Sequence, residues 1–278
     1  MNKKTLNIIS VCIFVLIVTF SVTQKDKLNL NKYSNNIIVD ENGKIKTKAD
    51  VYRDNILETV SEENIKNFKK FSKTFEKNSN DNLTDGISKD IFAQYIKYNT
   101  SGEIKESDII NTTQDMLKNK VDLENPIYYK DIQTVASNIN NLKTYGNNVA
   151  IIQNGVAKGI VSIVNKKNKT PYIANIYKTA AKLLMQIEVP DAISREHLAL
   201  INGYNKYSEG LLMLEYQDID PAKSLLGLTK IKSATEEILG SFDKIKKTII
   251  LNKVNYTENE PGIIWLMDDK DNTSIKLE

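Results

Sequence analysis

With 278 residues the chain has room for one large domain or two small ones, and its 26% charged and 41% hydrophobic content is that of an ordinary folded protein rather than a disordered one. Its net charge of +3 includes Lys3 and Lys4, the only charged groups in residues 1–24; without them 36 basic groups face 35 acidic ones. A body so nearly neutral, with Arg53 and Arg195 as its only arginines, makes no electrostatic case for nucleic acid, and no nucleic-acid partner is expected.

Residues 5–24 carry no charge, and Leu6 to Val22 is almost wholly apolar. About 17 apolar residues are near the lower limit for a helix that crosses a bilayer. The expectation is a signal-anchor over residues 1–24, with membrane lipid as the partner of residues 6–22 and the rest of the chain outside the cytoplasm. A cleaved signal is the alternative, although Ser21 and Thr23 make a poor cleavage site. Cys12, the single cysteine, lies inside this segment. The body therefore has no disulfide, thiolate metal site or cysteine nucleophile.

Residues 25–47 read as a linker holding a small β-hairpin, in which NIIV (36–39) and KIK (44–46) flank Asp40-Glu41-Asn42-Gly43. Residues 48–125 read as an N-terminal helical subdomain. Its first helix, about 48–77, carries Val51, Ile56, Val60, Ile65, Phe68, Phe71 and Phe75. Thr84 or Asp85 is expected to cap a second, with Ile87, Ile91, Phe92, Tyr95 and Ile96 on its face, and a third spans about 106–119.

Residues 126–254 read as an antiparallel four-helix bundle, which makes the fold class all-α. After an extended Ile127-Tyr128-Tyr129, helices are predicted over about 132–166, from Pro171 to about Ile187, over 191–218 and over 221–252. Asp220-Pro221 is a strong start signal, an N-cap followed by a proline whose missing N–H costs nothing there. The tail, 255–278, is polar apart from Ile263, Ile264, Trp265, Leu266 and Met267. This apolar pentad either pairs with the hairpin and covers the bundle, or docks on a partner protein.

Motifs that would carry chemistry are weak. His197 is the only histidine, which removes multi-histidine metal sites and points to a packed helical residue ahead of a catalytic base. Asp81, Asp85 and Gly86 suggest a calcium loop, but Leu83 and Phe92 stand where oxygen ligands belong. Asp268, Asp269 and Asp271 lack the glycine turn of such a loop. Gly155-x-x-x-Gly159 marks close approach of a neighbouring helix rather than a lipid-facing pair, because Gln153, Asn154 and Lys158 accompany it. Tyr172, Tyr177, Tyr204, Tyr207 and Tyr216 suit half-buried packing. No nucleotide-binding glycine loop occurs. No catalytic residue, metal or cofactor is assigned, and the chain is not expected to be an enzyme.

NLTD (82–85) and FAQY (92–95), LKTYGN (142–147), IEVP (187–190), HLALIN (197–202) and DPAKSLLGL (220–228) together span most of the body. On these motifs the chain resembles a group of uncharacterised, exported, all-helical proteins of small-genome candidate-phyla bacteria. The resemblance implies an N-terminal membrane segment and a helical ectodomain, and brings no catalytic residues. Two functions follow from different classes. One is a membrane-anchored helical interaction or scaffold protein, accessory to a cell-surface or secretion assembly. The other is a non-catalytic extracytoplasmic module that binds a small molecule or polymer in a cleft between the helical subdomains.

Overall fold

The computed structural model describes residues 37–39, 45–58, 82–89, 126–166 and 169–267, with side chains from Asp50 onward. The expected membrane segment, the helix over 106–119, the continuation of the first helix past Glu58 and the acidic tail residues lie outside them. None of the described helices is long and apolar enough to cross a membrane.

The described chain is mostly helical, with only two pairs of short strands. Strand β1 (Ile37–Val39) pairs antiparallel with β2 (Ile45–Thr47), Ile37 opposite Thr47 and Val39 opposite Ile45. This is the expected hairpin, and β2 runs directly into helix α1 (Lys48–Glu58). Helix α2 is described at 83–89. Its cap is neither Thr84 nor Asp85 but Asn82, whose Oδ1 accepts from the amide of Asp85 at 3.1 Å.

Four long helices follow: α3 (Ile139–Ser162), α4 (Thr170–Leu184), α5 (Ser194–Leu214) and α6 (Pro221–Leu251). The predicted start of α3 at 132 was seven residues early. Thr134–Val135 instead forms strand β3, parallel to β4 (Val189–Pro190), and the amide of Val189 donates to the carbonyl of Gln133 at 2.9 Å. The apolar spacing of this stretch is compatible with helix, but pairing to the α4–α5 connection holds it extended. Asn138 then caps α3 by accepting from the amide of Asn141 at 2.9 Å. The stretch expected to be extended at 127–129 ends in a 3-10 turn, Tyr129–Asp131, and another such turn, Asp191–Ile193, precedes α5.

Hydrogen bonds fix the helix directions. Ser208 on α5 donates to the carbonyl of Ala174 near the start of α4, while His197 near the start of α5 meets Leu184 at the end of α4, so the two are antiparallel. Lys206 and Glu209 on α5 meet Glu237 and Lys230 on α6 in reversed order, so this pair is antiparallel too. Tyr145 and Gln153 on α3 meet His197 and Tyr204 on α5 in the same order, which makes these two parallel. Helices α3 and α6 barely touch. The 3-10 turn Pro261–Leu266 packs against both.

One apolar core runs through α3 to α6 and takes in Trp265 from the tail and Tyr52 and Ile56 from α1. The Gly155-x-x-x-Gly159 pair is the seat for α1. A methyl group at Gly155 would lie 2.7 Å from the Cδ1 of Ile56, and one at Gly159 would lie 3.3 Å from its Cγ2 and 3.2 Å from Ile176 of α4. The close approach predicted from the glycines is present, and its partner is an isoleucine side chain of α1.

Candidate functional site

His197 is fully buried among apolar residues of α4 and α5. Its Nε2 lies 3.1 Å from the carbonyl of Leu184 and its Nδ1 lies 3.0 Å from the hydroxyl of Tyr145. A carbonyl can only accept, so Nε2 carries the proton and Nδ1 accepts from the tyrosine. Burial lowers the imidazole's pKa from 6.5 to about 4, partly offset by the bond to Leu184. Burial, followed by the charge of Glu196 and the nearby Tyr204, pushes the Tyr145 phenol well above its usual value. Both groups are therefore neutral near pH 7 and hold their protons in fixed bonds. A general base must reach its substrate's proton, and neither side chain has an exposed atom with which to do so. The pair joins α3, α4 and α5.

The tyrosines behave similarly. Tyr177, Tyr204 and Tyr207 are buried, with Tyr177 edge-on to Tyr204 at 5.3 Å and tilted against Tyr207 at 4.4 Å. The Tyr204 hydroxyl accepts from the Gln153 amide. Tyr172 and Tyr216 are half-buried and lie under the ammonium groups of Lys166 and Lys223, at 4.7 and 3.8 Å. Between α5 and α6 two lysines are nearly buried: Lys206 pairs with Glu237, and Lys230 with Glu209 at 2.9 Å. These crossed ion pairs set the register of the two helices, and nothing in the hydropathy pattern announced them.

The tail holds itself to α3 at the LKTYGN motif. The indole Nε1 of Trp265 donates to the carbonyl of Gly146 at 2.9 Å, and the amide of Gly262 donates to Asn147 at 2.7 Å. The Glu260 carboxylate takes the ammonium of Lys143 at 3.0 Å and the amide of Thr257 at 2.7 Å. Burial alone would raise the pKa of Glu260, but these bonds outweigh it and hold it below the usual glutamate value. A methyl group at Gly146 would lie 2.1 Å from the hydroxyl of Tyr256, so any larger residue there must displace that ring. Replacing Trp265 by phenylalanine removes the indole N–H bond and part of the buried ring, while the Gly146 carbonyl keeps its bond within α3. The replacement should cost about 1–2 kcal/mol, read as a lower urea midpoint at unchanged denaturant sensitivity.

The pentad thus divides. Ile264 and Trp265 are buried and Ile263 is half-buried, whereas Leu266 and Met267 remain 38% and 43% exposed. The turn is a 3-10 helix opened by Pro261. It seats on α3 and α6 rather than pairing with the hairpin, because its donors and side chains are already engaged at Gly146 and Asn147.

A fourth place joins two of the sequence motifs. Asp220, at the start of DPAKSLLGL, is buried and accepts from four groups, three of them beyond the bond it makes as the cap of its own helix. Its Oδ2 takes the amide of Leu83 at 2.7 Å, and its Oδ1 takes the amide of Thr84 at 3.0 Å, the hydroxyl of Thr84 at 2.7 Å and the amide of Lys223 at 3.1 Å. The Thr84 oxygen in turn accepts from the amide of Ala222 at 2.9 Å, and the Asn82 side chain donates to the carbonyl of Ile219 at 3.3 Å. NLTD is therefore a docking sequence. Asp85 and Gly86 are exposed, and Asp81 and Phe92 lie outside the described residues. Among the described residues no group of three or more histidine, cysteine or acidic side chains could hold a metal ion.

Comparison with protein-family models, with curated proteins and with solved structures finds no match to this chain.

Proposed function

We propose that the chain is a membrane-anchored, extracytoplasmic interaction protein. In this reading residues 6–22 hold it to lipid, the four long helices form a four-helix bundle, and the bundle presents a docking surface to a protein partner. The observation that carries the reading is an apolar strip along α6 and the end of the tail. The Lys246 ammonium donates to the carbonyl of Met267 at 2.9 Å, which places Leu266 and Met267 beside this part of α6. Leu239 and Ile250 fall on the same side of α6 as Lys246, seven residues before it and four after. They are 50% and 48% exposed. The neighbouring Trp265 is clamped to Gly146 and stacks at 5.8 Å on Phe242, so the strip is held on a rigid support. Such a surface suits the apolar side chains of a partner segment.

A photo-crosslinking residue at Met267 or Ile250 should yield a discrete adduct in cells, and one at exposed Lys232 should not. The C-terminally tagged chain should fractionate with the membrane and be digested by protease added from outside. Equal labelling at all three positions, or a chain protected from external protease, would remove the proposal. A soluble product shortened past Thr23 would instead favour a secreted module.

A further inference from the structure

We infer that Asp220 is a clasp: one carboxylate that holds α2 onto the start of α6 as a unit separable from the rest of the body. Every helix begins with amides that have no partner within it. At α2 these are Leu83, Thr84 and Asp85; the first two are taken by Asp220 and the third by Asn82. At α6 Pro221 has no N–H, Ala222 is taken by the Thr84 hydroxyl and Lys223 by Asp220. Thr84 and Asp220, 136 residues apart, thus tie two helix starts together through a single carboxylate and a single hydroxyl, with Asn82 serving the remaining amide of α2. Both helix dipoles also turn their positive ends towards that charge.

Among the described residues the apolar contact of α2 is separate from the main core. Ile87 and Leu226 form a small cluster of their own, with Leu83, Met213 and Ala222 packed against it. Among the described residues, detaching α2 therefore takes no side chain from the cluster around α3 to α6, and the clasp is the polar part of its hold. The charged groups on the elements around it are Asp85 and Lys89 of α2, Asp218 in the preceding turn and Lys223 of α6. The Lys223 ammonium lies over the Tyr216 ring. Burial would raise the Asp220 pKa, but the hydrogen bonds from Thr84, Lys223 and Leu83 outweigh it and keep the carboxylate ionised below the ordinary aspartate value.

Hydrogen exchange of the whole chain, resolved by peptide, tests this. Asp220→Ala should speed exchange by about tenfold or more at 83–87 and at 222–224, the loss expected for removal of a cap. Peptides within 142–160 and 197–211 should keep their rates. Thr84→Val should loosen 83–87 and Ala222 but leave the Lys223 amide protected, since Asp220 still caps α6. Unchanged exchange at 83–87 in Asp220→Ala would overturn the clasp. So would equal acceleration through α3 and α5, or a chain unfolded throughout, because either would make Asp220 a support of the whole fold.

Discussion

Replacing Gly227 by alanine should lower the unfolding free energy by roughly 2 kcal/mol, whereas the same change thirteen residues on, at Gly240, should raise it by up to about 1 kcal/mol. Both residues sit in the interior of α6 and both gain helix propensity from a methyl group. They differ in what that methyl group meets. At Gly240 nothing lies within 4 Å. At Gly227 the new carbon would lie 2.6 Å from the carbonyl oxygen of Gly210 on α5 and 2.7 Å from the Cβ of Met213. The relation is mutual, since a methyl group at Gly210 would lie 2.7 Å from the carbonyl oxygen of Gly227. A backbone carbonyl cannot swing aside as a side chain can, so the helices must separate. Separation would stretch the Lys230–Glu209 and Lys206–Glu237 pairs that follow it along the same seam, and each involves a nearly buried lysine that cannot regain its hydration cheaply. Gly203→Ala should fall between the two, because its closest obstacle at 2.8 Å is the movable Cγ1 of Ile238. Urea unfolding of the whole chain gives the ranking. A Gly227→Ala midpoint equal to that of Gly240→Ala would mean that α5 and α6 do not approach this closely.

The elements written most plainly in the sequence were those set by local chemistry. Asp220-Pro221 marks the start of α6, and the 3.6-residue periodicity from 139 to 251 locates α3 to α6 to within a few residues at most ends. Ile132, Thr134 and Val135 fit the same periodicity and were wrongly joined to α3. Their real state depends on Val189, more than fifty residues away, which no local pattern contains. The glycines at 155 and 159 signalled close approach, but the side chain that meets both, Ile56, comes from α1. The pentad was legible as apolar, yet its division into a buried Trp265 and an exposed Met267 follows from the seat at Gly146. Asp220 was legible as the cap of one helix only. Its second helix begins with Leu83, and the NLTD motif reads equally well as a cap of its own.

Stability should fall by about 2 kcal/mol between pH 7 and pH 5, and by about 3 kcal/mol in all once the pH is below 4, because of His197. The folded imidazole has a pKa of about 4 against 6.5 for an ordinary histidine. Between those values the unfolded chain binds a proton that the folded chain refuses, so acid favours unfolding. Above pH 6.5 both states are neutral and the effect vanishes; below pH 4 both are protonated and the penalty is complete. The carboxylates that the fold depends on act lower down. Glu260 and Asp220 are both held below their usual values of 4.5 and 3.8, so what they contribute is present at higher pH and is lost as pH falls through the region below about 4.5. Since His197 is the only histidine, a slope between pH 5 and 7 has one side chain to come from. His197→Gln should be less stable at pH 7, because the carbonyl of Leu184 and the hydroxyl of Tyr145 are imperfectly matched, and its urea midpoint should be flat from pH 7 to 5. A flat profile in the unsubstituted chain would mean that the imidazole reaches water. His197 would then be open to proton-transfer chemistry that its burial between Tyr145 and Leu184 now forbids.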